Sequence, residues 1–325
     1  MKKKVKVLTL VLMAMLLVVG GAGCAGGEEL KIGIIQYNDH IALDTAGEGF
    51  IAALQDNGYV DGQNISIDYQ NAQGDQSNLT TISDRFVSNN VDLILAIATP
   101  AAQMVAGKTT EIPILATAIT DFAEARLVES NEAPGVNVSG TTDMNPIKEQ
   151  IDLLVKLVPE AKTVGALYTS NEDNSILQAS IAKKAIEALG MTYVEATVST
   201  SNEVQQAAQS IVSQCDAIYI PTDNVFASAM PVVYGVTVES KTPVICGETG
   251  MVYGGGLATL GINYYDLGYQ TGLMAIKIFK GEAEPATMPI ESAFKFDFAI
   301  NGPVADEIGL EIPADLQEYV INPEA

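Results

Sequence analysis

From Leu30 onward, short apolar runs alternate with stretches whose apolar residues recur every three or four positions. The short runs are Lys31–Gln36, Ile65–Tyr69, Val91–Ala98 and Pro113–Ala116. Near-continuous apolar runs of this length fit strands buried on both faces. The stretches between them fit helices. Ala42–Asn57 predicts a helix closed by Gly58. Ser77 heads a second, with Leu79, Ile82, Phe86 and Val87 on one face, and Pro100–Gly107 predicts a third. Strand and helix in alternation predict an α/β fold with a parallel sheet covered on both sides.

The pattern then restarts. Asn145-Pro146 reads as a cap followed by proline at the first helical position, with Ile147, Ile151, Leu154, Val155 and Val158 on one stripe. Strands are predicted at Thr163–Tyr168, Thr192–Ala196, Asp216–Ile220 and Pro243–Cys246. Helices fall between them, one stopping at Gly190 and one following Ser201. Lys31–Tyr37 resembles Thr163–Tyr168, Asp92–Thr99 resembles Asp216–Thr222, and Ile112–Ala116 resembles Thr242–Cys246. Two similar α/β lobes are expected. The chain ends with a strand at Ala258–Ile262, a helix over Asp266–Lys280, an extended stretch Met288–Ile300 and a short helix near Val304–Ile308. These pieces are expected to return to the first lobe and cross again. The expected division is 28–142 with 252–281 for lobe 1, and 143–251 with 282–325 for lobe 2. Several crossovers suit a clam-shell closing on a ligand between the lobes.

The first residues follow another pattern. Lys2, Lys3, Lys4 and Lys6 precede an apolar run, Val7–Val19, broken only by Thr9; Gly20-Gly21-Ala22-Gly23 then leads to Cys24. This order predicts a secretory signal peptide over 1–23. The apolar run is short of the ~20 residues that a spanning helix needs. A cysteine directly after small residues resembles a bacterial lipobox, in which Cys24 is lipidated and holds the protein on the outer face of the cell membrane. Gly21 departs from that pattern, which usually has Leu or Val there. Gly21-Ala22-Gly23-Cys24-Ala25-Gly26 matches a dinucleotide fingerprint by letters only, since no strand precedes it.

Removing 1–23 leaves 302 residues, enough for two domains. That segment holds four of the 17 basic residues and no acid, so 13 basic residues face 40 acidic ones, a net charge of −27. Such a surface repels nucleic acid and anionic membrane. Cys215 and Cys246 sit at opposite ends of neighbouring predicted strands, about 15 Å apart at ~3.3 Å per residue, beyond the ~7 Å reach of a disulfide. Both are expected as free, buried thiols.

Ligands of open parallel sheets bind beyond the carboxyl ends of the strands. Those ends are polar here. In the first lobe they carry Gln36, Asn38 and His40, then Asn71 and Gln73, then Thr99-Pro100-Ala101, then Thr117. In the second they carry Tyr168 and Ser170, then Asp223 and Asn224, then Glu248. Thr99 with the amides after Pro100 is the expected carboxylate site, because a helix start favours anions. Asp223 and Glu248 are the expected partners of an ammonium. Thr99, Ser170 and Thr222 have an equal claim as plain helix caps. Tyr37, Tyr168, Phe226, Tyr253 and Tyr264 are candidates to stack on an aromatic ligand. One histidine, no metal-spaced Cys/His cluster, no Gly-x-Ser-x-Gly elbow and no valid phosphate loop weigh against a secreted enzyme. A binding protein without catalytic residues, metal or cofactor is expected.

Several segments resemble one family. They are Ile32-Gly-Ile-Ile-Gln-Tyr37, Asp68-Tyr-Gln-Asn-Ala-Gln-Gly-Asp-Gln-Ser-Asn-Leu79, Ala96-Ile-Ala-Thr-Pro-Ala-Ala102, Gly140-Thr-Thr-Asp-Met144, Val204-Gln-Gln-Ala-Ala-Gln-Ser210 and Tyr219-Ile-Pro-Thr-Asp-Asn224. Together they resemble ABC transporter substrate-binding proteins of the tryptophan/tyrosine-type group, across essentially all of the chain after the signal. The resemblance implies a type I periplasmic-binding fold: two Rossmann-like lobes, three crossovers and a ligand trapped between them. It implies a monomer that hands an amino acid, with an aromatic one favoured, to a permease driven by a cytoplasmic ATPase. A nucleoside or sugar ligand, and a role reporting to a membrane sensor, are the alternatives.

Overall fold

The computed structural model describes residues 29–323, so the signal segment and Cys24 lie outside the described residues. The first sheet has six strands: β1 (Leu30–Gln36), β2 (Ile65–Asn71), β3 (Leu93–Ile97), β4 (Ile114–Ile119), β5 (Val138–Thr142) and β11 (Glu291–Ser292). Their spatial order is β11-β5-β4-β3-β1-β2, and every pair is parallel. The central strands β3 and β4 are wholly buried, as their unbroken apolar runs require. The second sheet contains β6 (Thr163–Thr169), β7 (Thr192–Val198), β8 (Ala217–Ile220), β9 (Val244–Cys246), β10 (Ala258–Ile262), β12 (Phe296–Asn301) and β13 (Val320–Ile321). Its order is β13-β12-β10-β9-β8-β6-β7, with only β10 and β12 antiparallel.

The chain passes between lobes three times, at 143–146, at 263 and at 293–295. This redraws the division expected from sequence. Ala258–Ile262, expected in the first lobe, pairs with β9 and β12 in the second sheet. Glu291–Ser292, expected in the second, pairs with Thr141 and Thr142 of β5. The reason is register: the apolar pattern marks a strand, but its sheet is set by the partner it meets.

Register also builds the site. Gln36 lies opposite both Asn71 and Ile97, and Ile97 lies opposite Thr117. The carboxyl ends of four strands therefore form one row. Helices α1 (Ile41–Asp56), α2 (Gln76–Ser88) and α3 (Thr99–Ala106) start from that row. In the second lobe, α4 (Ile147–Leu157) follows the first crossing, and α5 (Asp173–Ala188), α6 (Val204–Ile211), α7 (Asn224–Ser228), α8 (Met230–Ser240) and α9 (Thr249–Tyr253) follow strands. The return helix α10 (Tyr264–Phe279) lies against α1, and α11 (Gly302–Ile308) closes the chain's last α/β turn. The α1–α10 contact is so close that a Cβ on Gly268 would stand 1.9 Å from the Ala46 carbonyl oxygen.

Several caps differ from expectation. Thr99 is the first residue of α3, behind Ala98 at φ 84°, and caps nothing. Ser170 and Thr222 are not caps; Glu172 and Asp223 occupy those positions. Asp75, not Ser77, caps α2, accepting from the Asn78 amide at 2.9 Å. Asn145 does not cap α4; its amide donates to the Asp143 carbonyl and to Thr222 Oγ1, both at 3.1 Å. At these helix starts only Asp75 and Asp223 accept from a backbone amide; Pro146 and Glu172 hold the cap positions of α4 and α5 without a side-chain cap bond. Among the described residues Cys215 and Cys246 are both free; Cys246 is buried but Cys215 only partly so. No helix among the described residues is long and apolar enough to cross a membrane.

Candidate functional site between the lobes

Five helices begin at the cleft between the sheets: α1 and α3 from lobe 1, and α5, α7 and α9 from lobe 2. Helix starts leave backbone N–H groups without intrahelical partners. Asp223 supplies such partners for α7, accepting from the Phe226 amide at 2.9 Å. It also accepts from the Thr169 amide at 2.6 Å and the Thr169 hydroxyl at 2.8 Å. Glu248 caps α9, accepting from the amides of Gly250 and Met251. No side chain caps α1 or α3.

The lobes meet across this cleft. Asn38 Nδ2 donates to the Asn224 carbonyl at 3.2 Å and to Ser228 Oγ at 3.1 Å. His40 Nε2 lies 3.2 Å from Asn224 Oδ1. Gln178 Nε2 donates to Thr120 Oγ1 at 2.9 Å, and Gln103 Nε2 donates to Asp173 Oδ2 at 2.9 Å. Beneath these bridges lies a narrow cavity lined by residues of both lobes and of the crossings, among them His40, Thr120, Asp143, Asn174 and Tyr264.

Of the residues expected at the site, Asp223, Asn224 and Glu248 line this cavity. Asn38 bridges over it. The others serve elsewhere in the structure. Gln36 is buried in lobe 1, donating to the Asn38 carbonyl at 2.7 Å and to Asp44 at 2.6 Å while accepting from Tyr69. Asn71 accepts from the Gln73 amide at 2.8 Å, which fixes a turn with Gln73 at φ 56°. Thr117 faces away from the cleft, in a hydroxyl chain with Thr141 and Thr271 at 3.0 and 2.8 Å. Tyr168 donates to Glu195 at 3.1 Å, and Ser170 donates to the Val198 carbonyl at 3.1 Å, both at the outer β6–β7 edge. Thr99 is buried beside Asp121, Asp173 and Asn174 in a second, smaller gap between the lobes, and Ala101 is buried in α3. Among the stacking candidates, only Tyr264 lines the cavity; Phe226 is core and Tyr253 is half exposed on an outer groove.

Two cavity residues, Asp143 and Asn174, escaped the sequence reading, as did Glu172, which is hydrogen-bonded to Asn174 and Asn224 of the cavity wall. Asp143 opens the first crossing directly after β5, a strand that the apolar pattern did not mark. Glu172 and Asn174 flank the start of α5, where acids and amides are routine. Glu172 accepts from the Asn224 side-chain amide at 2.6 Å and its backbone amide at 3.3 Å, and from Asn174 Nδ2 at 3.3 Å. Asp143 accepts from the Tyr264 hydroxyl at 2.7 Å.

The electrostatics are one-sided. Asp143, Glu172, Asp223 and Glu248 are at most 2% exposed, and none takes part in an ion pair among the described residues. Burial disfavours their charged forms. It pushes the Asp143 carboxyl up to about 6, against the hydrogen bond from Tyr264 and the nearby Thr120 hydroxyl. It pushes Glu248 up to about 7, against the amides of Gly250 and Met251. Glu172 is raised by burial and then by the charge of Asp223. Asp223 is itself raised by burial, but its three donors from Thr169 and Phe226 favour its ionised form. His40 is held neutral, its pKa lowered to about 4 by burial. A buried set of acids without a cation is a place for a positively charged guest.

Comparison with known proteins places this geometry. Residues 31–322 match the ABC transporter substrate binding protein family. The chain is similar to a tyrosine-binding protein of Clostridioides difficile, 41% identical over 298 residues, spanning 91% of this chain and 86% of the relative. It is similar to the crystal structure of an ABC domain in complex with L-Trp from Streptococcus pneumonia, with TM-score 0.87 and 39% identity over 90% of this chain and 100% of that one. It is also similar to the ligand-free, open structure of a substrate-binding protein with adhesive properties from Clostridium difficile, with TM-score 0.70 and 43% identity over 91% and 100% of the two chains. The open structure is the nearer of the two in sequence but the farther in shape. The lobes here therefore stand closer to their arrangement in the L-Trp complex, in keeping with the side-chain bridges across the cleft. The fold is that of type I periplasmic binding proteins. The chain belongs to the family of ABC transporter substrate-binding proteins.

Proposed function

We propose that this chain captures a free aromatic amino acid between its lobes and hands it to an ABC permease driven by a cytoplasmic ATPase. The observation that carries this reading is the shape and sequence similarity to the L-Trp complex, joined by a cavity whose buried acids pair with no lysine or arginine among the described residues. The relative described as tyrosine-binding supports the same ligand class. An amino acid suits the cleft because it brings a positive group for the acids and a negative one for the uncapped starts of α1 and α3. Asp223, Asn224 and Glu248 shape the cavity walls, and Asn38 latches the lobes.

The protein works as a monomer exported by its 1–23 segment and held at the membrane by lipid on Cys24. A single acyl chain holds only marginally, so two or more are expected there. Replacement of Cys24 by Ala is expected to move the protein from the membrane fraction to the soluble fraction; unchanged membrane association would overturn the anchor.

A thermal-shift screen of the twenty common amino acids tests the ligand class. A ligand at a hundredfold excess over its Kd stabilises the fold by about 2.7 kcal/mol. Strong shifts are expected from tyrosine or tryptophan and little from acidic amino acids. Silence from all twenty with a response to nucleosides or sugars would overturn the amino-acid reading and leave the fold intact.

A further inference from the structure

Five buried side-chain atoms around the cleft have no hydrogen-bond partner among the described residues: His40 Nδ1, Asp143 Oδ1, Asn145 Oδ1, Glu172 Oε1 and Asn174 Oδ1. The four oxygens are acceptors. So is the nitrogen, by its neighbours. Asn224 Nδ2 donates to Glu172 at 2.6 Å, which leaves Asn224 Oδ1 to face His40. His40 Nε2 must then carry the proton, and Nδ1 keeps its lone pair. An unpartnered buried acceptor costs about 1–3 kcal/mol. Among the buried side-chain atoms of the cleft only acceptors are free, which calls for a guest that brings donors.

Three of the five belong together. Asp143 and Asn174 line the same cavity, and Asn174 Nδ2 reaches Glu172 Oε2 at 3.3 Å. All three residues are more than nine-tenths buried. Their other atoms are fixed: Asp143 Oδ2 by Tyr264, Glu172 Oε2 by Asn224, and Asn174 Nδ2 by Glu172 and the Thr222 carbonyl. The free oxygens are thus aimed by the fold. Asp223 and Glu248 differ, because backbone amides already occupy their carboxylates. No lysine or arginine lines the cavity, and among the described residues no group of three His, Cys, Asp or Glu could hold a metal ion. An ammonium offers three N–H donors and one positive charge, which matches three acceptors and a buried acid.

We infer that the ligand's α-ammonium is held by Asp143 Oδ1 and Asn174 Oδ1, with Glu172 Oε1 beside them, and not by Asp223 or Glu248. This inference rests on the amino-acid reading above and names the subsite within it. It also gives the first crossing a second role, since Asp143 lies between β5 and α4 and would couple ammonium binding to the position of the lobes.

The test is isothermal titration of wild type, Asp143→Asn, Asn174→Ala and Glu248→Gln. The probes are L-tyrosine, L-tryptophan, the amines tyramine and tryptamine, and the deaminated acids 3-(4-hydroxyphenyl)propanoate and 3-(indol-3-yl)propanoate. Loss of one partner of a buried charged hydrogen bond corresponds to a weakening of roughly 30-fold or more. Asp143→Asn is expected to weaken the amino acids and amines by that factor and to leave the deaminated acids unweakened. Asn174→Ala is expected to act in the same direction by about tenfold, and it carries the comparison if Asp143→Asn does not fold. Equal loss for aminated and deaminated probes, or a larger loss in Glu248→Gln, would overturn the assignment. Wild type that binds amines and shows this Asp143 dependence, but binds no amino acid, would uphold the subsite and overturn the amino-acid reading. Wild type that binds neither amines nor amino acids would overturn both.

Discussion

The four buried acids do different work, and substitution separates them. Asp223 is structural: its carboxylate holds the start of α7 and ties it to Thr169 at the end of β6. Asp223→Ala removes a cap and leaves the Thr169 amide without a partner, a loss of about 2–4 kcal/mol of stability, to be read by urea denaturation. Asp143 accepts one hydrogen bond and keeps one oxygen free. Asp143→Asn should therefore leave ligand-free stability unchanged or raise it, because it removes a buried charge. A larger loss from Asp143→Asn than from Asp223→Ala would reverse these roles. Acidity follows the same logic. Asp143 and Glu248 hold protons in the fold up to about 6 and about 7, above their ordinary values of 3.8 and 4.5. Across that window the folded state binds more protons than the unfolded chain, so stability falls as pH rises. The ligand-free thermal midpoint is expected to decline from about pH 4.5 to about pH 7.5. The ligand-induced shift should grow over the same range, as the acids ionise toward a bound ammonium. A midpoint that rises with pH would contradict this. At this scale the sequence was only partly legible. Polar strand ends pointed to Asp223, Asn224 and Glu248, which do line the cavity. The spacing could not tell Thr222 from Asp223 as a cap, nor bring in Asp143 from a crossing, because neither depends on periodicity.

At the scale of elements, hydrophobic periodicity located most of the predicted helices and strands to within two residues, but β4 runs on to Ile119 beyond its expected end at Ala116, and β5 and α8 were not predicted. Membership was harder. The two-residue strand β11 carries no pattern of its own, and β10 looks like any edge of either sheet until its pairing with β9 and β12 is known. The contact between α1 and α10 was also hidden, since Gly49 and Gly268 lie inside the predicted helices and carry no side chain to mark a buried face. They are the contact itself: a Cβ on Gly49 would stand 2.0 Å from the Tyr265 carbonyl oxygen, and one on Gly268 1.9 Å from that of Ala46. Backbone cannot yield as a side-chain tip can. Gly268→Ala is expected to destabilise by about 1–3 kcal/mol or more. Gly235→Ala, inside α8 with nothing within 4 Å of the added carbon, is expected to stabilise by about 0.5–1 kcal/mol. Denaturation of the pair should show opposite signs, and losses of equal size would show that the helix crossing is not the constraint.

At the scale of the molecule, duplication was legible and closure was not. Repeated strand motifs foretold two lobes, and the resemblance foretold three crossings; the contacts that draw the lobes together join residues up to 190 positions apart. These bridges are neutral hydrogen bonds of Asn38, His40 and Gln178, together with one from Gln103 to Asp173. Each contributes about 0.5–1.5 kcal/mol, so a ligand that binds both walls can decide between open and closed forms. Asn38→Ala with Gln178→Ala should raise the radius of gyration of the ligand-free protein in X-ray scattering. Added ligand should reverse part of that change. Identical profiles for variant and wild type would show that these bridges do not hold the lobes.

Capture of an aromatic amino acid between the lobes is the central claim, and titration calorimetry of purified wild-type protein with L-tyrosine and L-tryptophan tests it most directly. One ligand per chain is expected for at least one of the two, with no comparable binding of myo-inositol or glucose. Heat from a sugar and none from either amino acid would contradict it.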